Sequence, residues 1–236
     1  MSQKRPIITV QNVGVQFRRS IRSFFNQTRV IALKDVSFDL YPGDSLGVIG
    51  RNGAGKTTLL RLLGGIIRPD SGTITNHGVS TALLSLQVGF DAELSGRVNA
   101  ILSGMLLGYR KQDVVARLDE IVRFAELEGF IDLPVKSYSS GMRARLGFAI
   151  ALEMNPGVLL IDEVLGVGDV AFRKKSMAVM KQKLLSDQTI VLVSHNAHVI
   201  RNLCNRAVWI ENGVSRMEGD SAEVVCAYER YLSNEA

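Results

Sequence analysis

The chain has 236 residues, 46% of them hydrophobic and 22% charged, with a net charge of +5 and a pI near 9.4. That is an ordinary globular composition and enough chain for one or two domains with a real core. It argues against a helical membrane span, because no apolar run approaches the length a bilayer requires.

The two cysteines, Cys204 and Cys226, show no metal-ligand spacing and fit a reducing cytosol with no disulfide framework. At the N-terminus, Lys4-Arg5-Pro6 leads into a strand-like run where a signal peptide would carry an apolar core. The basic balance permits nucleic acid, anionic lipid or a polyanionic substrate as partner and does not choose among them.

In chain order, residues 7–10 and 13–17 alternate as strands do. An insertion follows in which Arg18, Arg19, Arg22 and Arg29 are interleaved with Ile21, Phe24 and Phe25. It reads either as a solvated face or as a short amphipathic segment near a membrane surface or a membrane-embedded partner. Residues 32–40 form the next strand, closed by the turn Pro42-Gly43-Asp44, and residues 46–49 form a short buried one. Leu59, Leu60, Leu62, Leu63, Ile66 and Ile67 fall at helical spacing, and a turn at Pro69-Asp70-Ser71-Gly72 opens onto a strand at 73–75.

From about 97 to 134 the character becomes helical. Val114, Val115, Leu118, Ile121, Val122 and Ala125 share one helical face, with Asp113 as its cap. Strands resume at 158–161, 189–193 and 207–211, Glu211-Asn212-Gly213-Val214 marks a hairpin, and 222–232 is a closing helix. Short apolar strands alternating with helices predict an α/β fold, a mostly parallel sheet flanked by helices.

Gly50-Arg51-Asn52-Gly53-Ala54-Gly55-Lys56-Thr57 is a complete phosphate-binding loop, placed between an apolar strand and a helix that begins near Thr58. Glycines let the chain curl so that successive N–H groups face phosphate oxygens, and the following helix turns its positive end to the same anion. Lys56 is placed to reach the β- and γ-phosphates, and the Thr57 hydroxyl to ligate Mg²⁺. A nucleoside triphosphate and Mg²⁺ are therefore expected, and the family resemblance given below makes the nucleotide ATP.

The apolar run Val158-Leu159-Leu160-Ile161 ends in Asp162-Glu163. Asp162 is placed to help hold Mg²⁺, and Glu163 to orient or deprotonate the attacking water. Ser194-His195-Asn196 ends the next apolar strand, where His195 is a polar switch residue for the γ-phosphate. Tyr138-Ser139-Ser140-Gly141-Met142 precedes a helix expected from about 143 to 154. Ser139 or Ser140 caps that helix, or the same N-terminus also takes a phosphate.

This ordered set of phosphate loop, serine–glycine motif, Asp-Glu strand end and His strand end resembles the nucleotide-binding subunit of an ABC transporter along nearly the whole chain. The resemblance makes 138–142 the signature motif, usually Leu-Ser-Gly-Gly-Gln, with Ser140 and Met142 standing where Gly and Gln are usual. It implies a P-loop ATPase core at about 1–86 and 155–220, with an N-terminal antiparallel β part. A helical subdomain at about 87–154 and a C-terminal helix at about 221–236 complete the expected organisation.

In that family Ser139 and Gly141 close over the γ-phosphate held by a second subunit, so a homodimer sandwiches two ATP molecules. Asp169 becomes the carboxylate of the loop after Glu163, Gln87 the γ-phosphate-sensing glutamine beside Mg²⁺, and Phe17 the adenine-stacking aromatic, with Phe24 or Phe25 as alternatives.

The variants Tyr-Ser-Ser-Gly-Met and Asp-Glu-Val-Leu-Gly-Val-Gly-Asp resemble the ATPase subunits of bacterial polysaccharide exporters. So do Gly89-Phe90, Glu93-Leu94-Ser95-Gly96-Arg97 and the basic insertion. The resemblance implies export of an O-antigen-like, lipid-linked cell-surface polysaccharide through a separate multi-span membrane channel subunit, expected in two copies. It places this chain peripherally on the cytoplasmic face of the bacterial inner membrane, with no nucleic-acid partner. Some relatives carry a C-terminal carbohydrate-binding domain; the closing helix near Ala236 leads to the expectation of a subunit without one. The alternatives are another cargo (teichoic acid, capsule, lipid or drug) or a soluble ATPase of this type acting on nucleic acid or the ribosome.

Overall fold

The computed structural model describes residues 5–19, 28–84, 90–162, 169–184 and 186–234. In chain order its strands are β1 (Ile8–Arg19), β2 (Thr28–Leu40), β3 (Ser45–Ile49), β4 (Ser71–Asn76), β5 (Thr81–Leu83), β6 (Val158–Ile161), β7 (Thr189–Val193), β8 (Arg206–Glu211) and β9 (Val214–Asp220). The helices are α1 (Lys56–Leu63), α2 (Gly96–Leu106), α3 (Lys111–Ala116), α4 (Leu118–Ala125), α5 (Ser140–Glu153), α6 (Val170–Leu184), α7 (Ala197–Leu203) and α8 (Ser221–Asn234). Among the described residues, no helix is long and apolar enough to cross a membrane. The chain divides into two compact units, residues 1–79 with 184–236, and residues 80–183.

In the first unit the strand order is β4-β1-β2-β9-β8-β3-β7. β3 and β7 are buried along their whole length and pair in parallel, Val48 opposite Val193, as strands covered on both faces do. β1 pairs antiparallel with β2 and β4, and β8 with β9. The expected hairpin is present, with Asn212 at φ 51 and Gly213 at φ 78, as a two-residue turn between right-twisted strands requires. The sheet is thus mixed, parallel at its centre and antiparallel in its N-terminal part.

The β1–β2 ladder runs further than the residue pattern indicates: Phe17 faces Val30 and Arg18 faces Arg29. Residues 28–31, read as part of the insertion, are strand. Val30 and Ile31 are 46% and 50% exposed, so backbone pairing holds them there without the burial that alternation reports. Arg22, Ile21, Phe24 and Phe25 lie outside the described residues.

α1 ends at Leu63, capped by Gly64, with Gly65 at φ 68, so Ile66 and Ile67 fall beyond the helix they were expected to extend.

In the second unit β5 pairs in parallel with β6. The helices pack around Leu118, Ile121, Leu127, Ile131, Leu146 and Ile150. The single helix expected over 114–125 is divided into α3 and α4. Arg117, at φ −103 and ψ 1, ends α3 and starts α4, and its guanidinium donates to the Glu153 carbonyl at 2.5 Å. Val114, Leu118, Ile121, Val122 and Ala125 are nonetheless buried in one core as expected, and of that face Val115 alone is exposed. α3 starts after Arg110, so Asp113 sits in its first turn and is not its cap.

Candidate functional site

The phosphate loop lies wholly in the first unit. β3 delivers Gly50 at the carboxyl edge of the parallel strands, and α1 begins at Lys56. Gly55, at φ 99, is the N-cap, and it makes no side-chain capping bond at the positive end of α1. Only glycine fits here: a Cβ on Gly55 would lie 2.4 Å from the Ala32 carbonyl oxygen and from Leu33 Cδ2. At Gly50 the corresponding distance to the Ile210 carbonyl oxygen is 2.1 Å. β2 and β8 therefore press the loop from beneath, while a Cβ on Gly53 would meet nothing within 4 Å.

Lys56 is 8% exposed, and its Nζ donates to the Gly50 and Arg51 carbonyls at 2.8 and 2.9 Å. A buried ammonium requires such partners, and they hold it along the inside of the loop. Arg51, Asn52 and Thr57 are exposed, Thr58 is half-buried, and Ala54 is buried and donates to the Arg51 carbonyl at 3.1 Å. A helix end with glycine as its N-cap, curled glycines and a positive charge inside the curl fit a polyphosphate anion.

His195 follows β7 and is exposed. Because β7 and β3 are parallel neighbours, His195 and the phosphate loop leave the same edge of the sheet, where ligands of open α/β sheets bind. The turn is fixed on both sides. Asn196 caps α7 by accepting from the N–H groups of His198 and Val199, and its own N–H donates to Ser194 Oγ at 3.0 Å.

Phe17 is 41% exposed on the β1–β2 ribbon. It pairs with Val30, two residues before Ala32, whose carbonyl abuts Gly55. A partly exposed apolar ring thus stands on the ribbon whose second strand abuts Gly55.

In the second unit Asp162 ends β6 and is half-buried; Gln87, Glu163 and residues 164–168 lie outside the described residues. Asp169 accepts from the Phe172 N–H at 2.9 Å at the start of α6. That bond above all, with the Ala171 N–H and the Arg145 guanidinium, holds its carboxyl below the usual range. Arg145 belongs to α5 and also stacks over Phe172, while Phe148 of α5 meets Phe172 edge-on at 5.9 Å. Asp169 and the helix behind the serine–glycine motif are thereby packed together.

Ser139 caps α5, its Oγ accepting from the Met142 N–H at 3.1 Å, so the helix starts at Ser140 and not near 143. Ser140, Gly141 and Met142 form its first turn. Ser139→Ala is expected to cost about 1 kcal/mol of stability through the lost cap. A denaturant midpoint identical to that of the parent would show the cap to be idle.

Among the described residues, no group of three or more His, Cys, Asp or Glu side chains is arranged to hold a metal ion. Mg²⁺ does not ask for one, since it usually binds one or two carboxylates together with substrate phosphates and water.

The model of the ABC transporter family matches residues 33–166, more than half of the chain. The chain belongs to the ABC transporter family. It is an ATP-binding cassette, the ATPase module of that family.

Over 87% of its length this cassette is 41% identical to the O-antigen export system ATP-binding protein RfbB of Klebsiella pneumoniae, covering 83% of that protein. Over 95% of its length it is 42% identical to the protein of the same name from Myxococcus xanthus, of which it spans only about half, 52%. Its fold is that of solved cassettes. A dimeric post-hydrolysis state of the cassette MJ0796 bound to ADP and Pi superposes with a TM-score of 0.72 at 23% identity, over 91% of this chain and 98% of the other.

The residue pattern missed the role of Asn99, and it gave Tyr138 a place in the serine–glycine motif without the contact that holds it. Asn99, 1% exposed, organises the turn before α2: its Oδ1 accepts from the Asp91 N–H, and its Nδ2 donates to the Asp91, Leu94 and Ser95 carbonyls. Tyr138 is buried and donates to the Phe130 carbonyl at 2.7 Å. An asparagine in a helical run and a tyrosine before a cap carry no spacing signal of their own.

Proposed function

We propose that this cassette is the ATP-hydrolysing subunit that powers export of an O-antigen-like, lipid-linked polysaccharide through a separate multi-span membrane subunit. The observation that carries this reading is its 41% identity, along most of both chains, to a protein named for O-antigen export. The Tyr138–Met142 and Glu93–Arg97 variants agree with it. Two copies would close head to tail over two ATP molecules on the cytoplasmic face of the inner membrane, beside two copies of the channel subunit.

The residues divide the work as follows. Backbone N–H groups from Gly50 to Thr58 cradle the phosphates and Lys56 neutralises them, while Phe17 stacks on the adenine. Glu163 takes a proton from the attacking water, and His195 contacts the γ-phosphate from the neighbouring strand end. Ser139 to Met142 of the partner cassette complete the phosphate shell, and Asp169 lies at the dimer seam. Mg²⁺ would be held by Thr57, Asp162 and Gln87 with phosphate oxygens and water, and would offset charge developing on the transferred group. Catalysis in such a site is positioning and electrostatics, with no covalent step on the protein.

A strain lacking this chain is expected to lose its surface polysaccharide and to accumulate the lipid-linked precursor inside. Re-supplying the wild-type chain should restore export, and the Lys56→Ala chain should not. An unchanged surface glycan in the deletion strain would remove the polysaccharide cargo from the reading and turn attention to lipid or drug substrates.

A further inference from the structure

Tyr138 stands directly before the signature serine, at the position where the family usually carries leucine. Its side chain is 4% exposed, and burial pushes its phenol above the ordinary range. The hydroxyl sits against Gly96, the first residue of α2: a Cβ there would lie 2.2 Å from Tyr138 Oη, 3.0 Å from Ile131 Cδ1 and 3.1 Å from the Ile131 carbonyl. Gly96 is therefore glycine because a phenol occupies the space of its side chain. Its φ lies outside the left-handed range, so no backbone requirement competes with that explanation.

The two segments behind this contact are tied along their length. Val135 N–H donates to Leu94 O at 2.9 Å, Lys136 N–H to Ala92 O at 2.8 Å, and Arg97 N–H to Ile131 O at 2.8 Å. Side chains repeat the pairing: Lys136 reaches Glu93 at 2.6 Å, and Arg97 grips Asp132 with bonds of 2.6 and 3.1 Å. The surface pairs add little stability individually, but the backbone bonds make 91–97 and 131–138 one block. Tyr138 is the last residue of that block, and Ser139, the cap of α5, is the next.

We propose that Tyr138 is a positioning residue for Ser139. Its ring, seated on Gly96, sets where the signature serine stands according to how the 91–97 turn is held. The Glu93-Leu94-Ser95-Gly96-Arg97 and Tyr138-Ser139-Ser140-Gly141-Met142 variants are then two halves of one contact. The proposal rests on the reading that Ser139 meets ATP bound to a partner copy.

The test uses the purified full chain carrying Glu163→Gln, with ATP-dependent dimer formation followed by light scattering and ATP binding to the monomer measured separately. Adding Gly96→Ala is expected to raise the ATP concentration for half-maximal dimer about tenfold, with monomer binding unchanged. Adding Tyr138→Phe to Gly96→Ala removes the clashing oxygen and should recover most of that loss, the non-additivity that marks a direct pair. Tyr138→Leu, which takes away the ring and its hydroxyl, should weaken the dimer several-fold with unaltered monomer binding, and it carries the test alone if Gly96→Ala does not fold.

Dimerisation equal to the parent in Gly96→Ala and Tyr138→Leu would overturn the positioning role, as would a parallel fall in monomer ATP affinity and thermal midpoint. A Glu163→Gln parent that stays monomeric with ATP would instead overturn the composite-site reading beneath it.

Discussion

Lys56→Ala is expected to reduce ATP turnover by about 10²–10³-fold, the scale of losing one preorganised donor to the reacting charge, and to weaken ATP binding as well. The geometry explains both effects. The Lys56 ammonium is nearly enclosed and held by the Gly50 and Arg51 carbonyls, so it stands inside the loop before any phosphate arrives. Removing it takes away the buried positive charge within the loop and leaves the Gly50 and Arg51 carbonyls without that donor. Nucleotide affinity by calorimetry and phosphate release by a steady-state assay measure the two losses. Wild-type affinity in the alanine variant would mean that the backbone cradle alone binds ATP.

Glu163→Gln should separate binding from chemistry. Glutamine keeps the shape and hydrogen-bonding reach of glutamate but cannot take the proton of the attacking water. Turnover is expected to fall by about 10²–10⁴-fold, the range for a positioned general base, while ATP binding persists and ATP-bound dimers accumulate. In sequence Glu163 directly follows Asp162, the residue next after the buried strand β6. A Glu163→Gln chain that hydrolyses ATP at the wild-type rate would assign the base elsewhere, with His195 the next residue to examine.

The parts legible in the residue pattern share a property: their conformational cause is contained in a few adjacent residues. The phosphate loop needs glycines and a lysine at fixed offsets, and the structure turns the chain there as expected. The Asn212-Gly213 hairpin needs two positive φ values, which those residues supply most readily. β6 and β7 announce themselves by runs of branched apolar residues, because strands covered on both faces leave no room for polar ones. Some readings that failed missed a local cap, as at Gly64 and Ser139, and others depended on partners elsewhere in the chain. The outer ends of β1 and β2 are held by each other's backbone, and the break at Arg117 is fixed by a carbonyl at the far end of α5.

By itself, the sequence determined that this protein grips a nucleotide phosphate chain, that it belongs among ABC cassettes, and in what order its elements come. The first follows from local backbone chemistry and the last from the period of apolar residues, whereas the family follows from the resemblance of its ordered motifs. Only the tertiary structure decided why individual positions are what they are. Gly50 and Gly55 are glycine because β8 and β2 lie against the loop, and Gly96 because Tyr138 fills the place of its side chain. Close approach between distant segments is a property of packed volume, which no spacing along the chain records.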